Sequence, residues 1–196
     1  MRVYFTCLAR TPFRRIFTGF EQFNPLQLAL QLCEKFIEKE PTASKADALF
    51  ASSVLLDPEI PNLAREIVIR SKINKNCPGH FVSNYCISSL VSTGLAFSAI
   101  KSGQISSAIT LGVEVMSSPK LFLSDDTSRK IAILFRARGF LKKVKHLSRF
   151  RISDLKILFP SPKEPSTGLS MGESCEVMND RHCVTRQDQD FFAAES

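Results

Sequence analysis

Apolar positions in this chain alternate between short continuous runs and helical stripes. Residues 3–8 are apolar and β-prone, and residues 25–39 repeat Leu26, Ala29, Leu30, Cys33, Phe36 and Ile37 at helical spacing. Residues 46–55 read as a strand, Asp57-Pro58 as a turn, and residues 62–70 as a second helix. A strand over 80–84, an amphipathic helix over 87–102 and a buried strand over 105–111, ending near Gly112, complete the rhythm. Strands alternating with helices predict a parallel α/β sheet with right-handed crossovers.

After Met116 the rhythm breaks. Residues 117–169 form an excursion that closes in the Pro-rich stretch Phe159-Pro160-Ser161-Pro162-Lys163-Glu164-Pro165. Helical patterning resumes at Ser170-Met171-Gly172-Glu173 and at Thr185-Arg186-Gln187-Asp188, each spelling a capping box in which the acid reaches back to the cap amide. The expected organisation is a core over 1–116, an insert over 117–169 and returning helices over 170–196. No internal repeat is present.

The chain has 196 residues, 44% of them hydrophobic, enough for one substantial core. Its six cysteines, at 7, 33, 77, 86, 175 and 183, form no CxxC pair and no zinc spacing. The opening residues lack a charged region followed by an apolar one, and no apolar run is long enough to cross a bilayer. These features predict free thiols in a reducing, cytoplasmic compartment, and no metal site. The net charge of +7 is unevenly placed: ten Lys or Arg against the single acid Asp154 give residues 129–156 a charge of +9 and leave −2 for the rest. A near-neutral protein carries one basic insert.

Cys86 joins the strand to the helix in Val82-Ser83-Asn84-Tyr85-Cys86-Ile87-Ser88-Ser89. Amides of a helix's first turn, with the helix dipole, stabilise an anion at that end. A free thiol of pKa about 8.5 is only about 3% ionised at pH 7, so such a position favours the reactive thiolate. Cys86 is the candidate nucleophile, to be weighed against a cysteine that merely packs. Cys7, Cys33 and Cys77 sit among apolar residues and read as packing.

With these elements placed, the chain resembles the N-terminal half of a thiolase. The resemblance rests on Ala9-Arg10-Thr11-Pro12-Phe13, Ile60-Pro61-Asn62-Leu63-Ala64-Arg65-Glu66, the nucleophile motif Cys86-Ile87-Ser88-Ser89, and Gly112-Val113-Glu114-Val115-Met116-Ser117. Leu147-Ser148-Arg149-Phe150-Arg151-Ile152-Ser153-Asp154-Leu155 and Ser166-Thr167-Gly168-Leu169-Ser170-Met171-Gly172-Glu173 are similar to the subfamily of 3-ketoacyl-CoA thiolases that form the β-subunit of the fatty acid oxidation, or trifunctional, complex. Two positions depart from the pattern. Leu111 stands where glycine is usual and Ile87 where a small residue is usual, and the resemblance places both beside the acyl pocket.

The resemblance implies a mixed, mainly parallel sheet with helices on both faces, carrying an inserted helical loop domain. It implies thiolysis of a 3-ketoacyl-CoA in fatty acid β-oxidation through an acyl-Cys86 intermediate, with coenzyme A as substrate and no tightly bound cofactor. It also implies a histidine in a GHP motif and a second cysteine in a CxG motif, both from a C-terminal half; this chain is read as containing neither motif. His80, His146 and His182 are not followed by proline and do not match that base, and Cys183 beside His182 points elsewhere on a helix. The chain is thus expected to be inactive alone. Its expected partners are a thiolase homodimer or a complementing half, and a dehydrogenase-bearing α-subunit. The alternative is a decayed, non-catalytic fragment that keeps only subunit or membrane-surface binding. A ketoacyl synthase shares a similar nucleophile motif, but Arg10-Thr11-Pro12 and the match from Leu147 onward argue against it.

The basic insert interleaves Arg136, Arg138, Lys142, Lys143, Lys145, Arg149, Arg151 and Lys156 with Phe140, Leu141, Val144, Leu147, Phe150 and Ile152. Basic amphipathic helices suit an anionic bilayer surface, and the same cations suit the phosphates of coenzyme A. A solvated helix packing on its own domain is the plain reading. No nucleic-acid module surrounds the charge, so a nucleic-acid partner is not expected.

Overall fold

The computed structural model describes residues 2–6, 9–118, 120–148, 150–158 and 161–196. They divide into two compact units, 1–120 and 121–196. Cys7, and the Phe159-Pro160 start of the Pro-rich stretch, lie outside the described residues.

The first unit is built on a three-stranded parallel sheet. Its centre is β1 (Ala48–Ser52), flanked by β2 (Gly79–Val82) and β3 (Ala108–Gly112) in the order β2-β1-β3. Leu49 pairs with Gly79 and Ala48 with Ala108, and every β1 residue is buried. Alternation along β1 sends Leu49 and Ala51 to one face and Ala48 and Phe50 to the other.

The first face is closed by α1 (Pro25–Lys39) and α2 (Leu63–Arg70). Helix α1 starts where Asn24 Oδ1 accepts the Gln27 amide at 2.8 Å and Gln27 Oε1 accepts the Asn24 amide at 2.9 Å, with Pro25 at the first helical position. Its Leu26, Ala29, Cys33 and Ile37 pack with Leu63, Ala64, Ile67 and Val68 of α2 into the main core. Asn62 caps α2 and also donates from Nδ2 to Gly79 O at 3.2 Å. A Cβ at Gly79 would stand 2.6 Å from the Arg65 amide nitrogen, so only glycine lets β2 begin this close to α2.

The other face meets α3 (Ser88–Lys101), and here the structure departs from the expected amphipathic helix. Helix α3 turns its small residues, Ser88, Ser92 and Ala96, to the sheet, while Leu90, Leu95 and Phe97 point away and are exposed. Close approach to the strands demands small residues, and a helix apolar on every side is the pattern of one surrounded by protein.

Two further expectations change. β3 is an edge strand, largely half-exposed rather than buried, and residues 3–6 pair with no strand among the described residues. The Asp47 carboxylate ties the start of β1 to that of β3 by accepting the Ser106 and Ser107 amides at 2.8 and 3.0 Å, which holds its pKa below the ordinary carboxylate range.

In the second unit, β4 (Phe122–Leu123) pairs antiparallel with β5 (Ile157–Leu158). Helix α4 (Asp125–Arg136) begins at the Ser124 cap, and its Thr127, fully buried, donates to Asp154 O at 2.5 Å and accepts the Lys156 amide at 3.1 Å. Helix α5 (Phe140–Leu147) follows Gly139. Helices α6 (Met171–His182) and α7 (Arg186–Glu195) start at the two capping boxes read from sequence, at Ser170/Glu173 and Thr185/Asp188. Among the described residues no helix is long and apolar enough to cross a membrane.

Candidate active site

The carboxyl ends of the three parallel strands meet where the strand order reverses, between β1 and β3, the usual place for a ligand crevice in an open α/β sheet. Ser52, the last residue of β1, has its hydroxyl 3.2 Å from that of Ser89 in the first turn of α3 and donates to Leu111 O at 3.3 Å. Gly112 closes the contact from β3. A Cβ there would stand 2.1 Å from Ser89 Oγ and 3.4 Å from Ser52 Oγ, so any side chain would push the Ser89 hydroxyl off its partner.

Glu114, two residues on, spends its carboxylate on the loop after β1. Its Oε2 accepts the Val54 amide at 2.8 Å, the Leu55 amide at 3.0 Å and the Ser53 hydroxyl at 3.1 Å, while Oε1 accepts the Val115 amide at 3.3 Å. That carboxylate organises the backbone that follows β1 and β3.

Cys86 follows β2 and stands one residue before the α3 cap, Ile87, with its side chain exposed. Reaching that position bends the chain sharply: Tyr85 has φ +48°, a left-handed conformation rare for a residue with a Cβ. Ile87 offers no side-chain acceptor, and no side chain caps α3. The Ser88 amide is already taken by Tyr85 O at 3.1 Å, so it is the remaining amides of the first turn, with the helix dipole, that face an anion beside Cys86.

The two departures from the family pattern separate in space. Leu111 is buried in the core against α1 and α2, on the face opposite Gly112 and Ser89, so its bulk fills the core and does not crowd the strand ends. Ile87 sits beside the thiol and is about half exposed.

The remaining cysteines sort by burial. Cys33 and Cys77 are buried; burial, helped by Glu34, pushes the Cys33 thiol up to about 11, and burial with Asp47 raises that of Cys77. Cys175 and Cys183 are exposed in the second unit. Cys77-Pro78-Gly79 does spell CxG, against the expectation that no such string is present. It lies at the opposite end of β2 from Cys86 with its thiol buried, so it is not a second reactive cysteine at this site. His80 lies within β2, its ring stacked on Phe50 at 4.8 Å. His146 belongs to α5 and His182 to the end of α6, both in the other unit.

A family model, Thiolase, N-terminal domain, matches residues 3–196. The chain belongs to the thiolase family. It is 31% identical over 188 residues to the 3-ketoacyl-CoA thiolase of Colwellia psychrerythraea, covering 95% of this chain and 43% of that protein. With the 3-ketoacyl-CoA thiolase of Erwinia tasmaniensis it is 31% identical over 196 residues, covering 100% of this chain and 45% of that one. The chain thus spans less than half the length of these curated relatives. Among solved structures it is similar to a thiolase of Ascaris suum in complex with coenzyme A, with a TM-score of 0.67 and 19% identity over 92% of this chain and 43% of that one. It is also similar to the Bacillus anthracis acetyl-CoA acetyltransferase, with a TM-score of 0.63 and 17% identity over 89% and 40%. At such identities these structures establish the fold: a mixed α/β arrangement with a parallel sheet and helices, the N-terminal half of a thiolase.

The sequence marked Cys86 but missed Ser52, Asn84 and the role of the Glu114 carboxylate. The doubled serine after Cys86 was the available signal for the first two, since Ser88 bonds the Asn84 amide and Ser89 meets Ser52.

Proposed function

We propose that this chain is the nucleophile-bearing half of a 3-ketoacyl-CoA thiolase of fatty acid β-oxidation, with Cys86 forming the acyl-thioester. What supports the reading is the placement of Cys86 at the uncapped start of α3, at the carboxyl end of a parallel sheet, in a chain of the thiolase family. The Cys86 thiolate attacks the 3-carbonyl of the substrate. The bond between C2 and C3 breaks, acetyl-CoA departs once its enolate is protonated, and the acyl group stays on sulfur until a second coenzyme A takes it. The Cys86 backbone amide serves as one donor to the developing oxyanion.

The base, the acid and the second thiol are proposed to come from a thiolase C-terminal half outside these residues, so the chain alone is inactive. Residues 170–196 are proposed to return to the α/β core, with 117–169 as the loop domain. Partners on this reading are a second thiolase chain and a dehydrogenase-bearing α-subunit, in the cytoplasm or at the inner membrane face. Phe140 and Leu141, 80% and 83% exposed beside Arg138 and Lys143, support contact with an anionic lipid surface.

The test is to mix the purified chain with the C-terminal half of a related 3-ketoacyl-CoA thiolase and follow thiolysis of a 3-ketoacyl-CoA, with intact-mass detection of an acyl adduct. Activity and adduct are expected from the mixture alone, and both vanish with Cys86→Ala. The second reading is a non-catalytic chain that binds other subunits, favoured by the exposed Leu90, Leu95 and Phe97 of α3. It is left standing if a stable mixture forms without adduct or turnover.

A further inference from the structure

We infer that Ser88 is the positioning residue for the Cys86 thiol. Its hydroxyl holds closed the turn that Tyr85 enters against its own backbone preference. The inference rests on the nucleophile reading above and adds to it a residue that acts through the turn, without touching substrate.

Three observations converge on this position. Tyr85 sits at φ +48°, where its Cβ crowds the backbone and where only glycine, and less often asparagine or aspartate, goes freely. A conformation of that kind persists only when its surroundings over-determine it. Ser88 is 3% exposed and bonds on both sides of the strained residue: its Oγ accepts the Asn84 amide at 2.7 Å and donates to Tyr85 O at 2.6 Å. The Ser88 amide donates to the same carbonyl at 3.1 Å. Ser88 thereby ties the residue before Tyr85 and the carbonyl that leads into Cys86 to one point in the first turn of α3.

The helix end of this clamp is itself anchored. Ser89, the next residue, meets Ser52 of β1 under Gly112 of β3. The two serines after Cys86 therefore divide the work, with Ser88 setting the turn and Ser89 setting the helix against the sheet.

A single mechanism predicts a rescue. If Ser88 serves to hold Tyr85 at positive φ, glycine at position 85, which adopts that conformation without strain, makes the hydroxyl dispensable. The protein carries its own reference thiols for the measurement. Cys175 and Cys183 are exposed in the other unit, and Cys33 and Cys77 are buried reporters of unfolding.

The experiment is residue-resolved mass spectrometry of iodoacetamide labelling at neutral pH on the full chain. Ser88→Ala is expected to slow Cys86 relative to Cys175 by about fivefold to tenfold, the equivalent of one lost hydrogen bond. The double variant Tyr85→Gly, Ser88→Ala is expected to return to within about twofold of the parent, with Cys33 and Cys77 protected throughout. Equal Cys86 rates in parent and Ser88→Ala overturn the inference, and so does a double variant as slow as the single one. Should Cys33 and Cys77 become labelled in Ser88→Ala, the comparison passes to Ser88→Thr, which keeps the hydroxyl. A parental rate there supports the inference and a slow one sinks it. The nucleophile reading fails separately, if Cys86 in the parent labels no faster than Cys175 and Cys183.

Discussion

The two faces of the first unit's sheet are finished to different degrees. Against α1 and α2, the strands bury Leu49 and Ala51 among Leu26, Cys33, Leu63, Ile67 and Val68, a core of large side chains. Against α3 they bury Ala48 and Phe50 on little more than Ala96, while Leu90, Leu95 and Phe97 look outward. One face draws its stability from side chains that interlock within these residues. The other leaves its larger apolar groups exposed and holds α3 to the strands through small residues and the Ser52–Ser89 contact. The contrast separates what folds the unit from what presents the thiol, since Cys86 opens the helix on the unfinished side.

The sharpest way to break this comparison is to cut the finished face. Ile67, fully buried between α2 and the sheet, is expected to cost about 2–5 kcal/mol on replacement by alanine, read from the midpoint of urea unfolding. A smaller loss on the same face tracks pH. The folded-state value of Cys33 is raised to about 11, so its contribution is fully present below the ordinary thiol range and disappears as pH rises toward 11. Unfolding followed between pH 8 and 11 should therefore show stability falling by about 2–3 kcal/mol, a slope that Cys33→Ala flattens. The smallest effect belongs to the unfinished face. Leu90→Lys, at a position 71% exposed, is expected to leave stability within about 0.5 kcal/mol while lowering self-association measured by light scattering. A loss at Leu90 comparable to that at Ile67 would mean that α3 is already packed and the asymmetry is unreal.

Much of the fold was legible because local signals and tertiary structure agree. The Asn24 box, the Asn62 cap and the boxes at Ser170 and Thr185 start their helices where sequence placed them. Helix α3 was legible in extent but not in orientation: Ser88, Ser92 and Ala96 read as polar or neutral by periodicity, and only proximity to the strands explains why they face inward. The β-prone residues 3–6 failed for the complementary reason, since propensity cannot form a ladder without a partner strand. At the site the proposed nucleophile, Cys86, was visible as a residue type at a strand–helix junction. Its supports were not, because Ser52, Ser89 and Gly112 come from three elements and only the crossover connections bring them together.

Gly79 gives the thiol its altitude. β2 is only four residues long, and its first residue is pressed so tightly on the α2 backbone that no side chain fits between them. That contact acts as a datum: β2 starts flush against the α2 backbone, and the path forward from it runs through Val82 and the tight bend at Tyr85 to Cys86. On the proposed reading of Cys86 as nucleophile, the benchmark for its sulfur stands at the far end of the strand, out of reach of the chemistry proposed at the top.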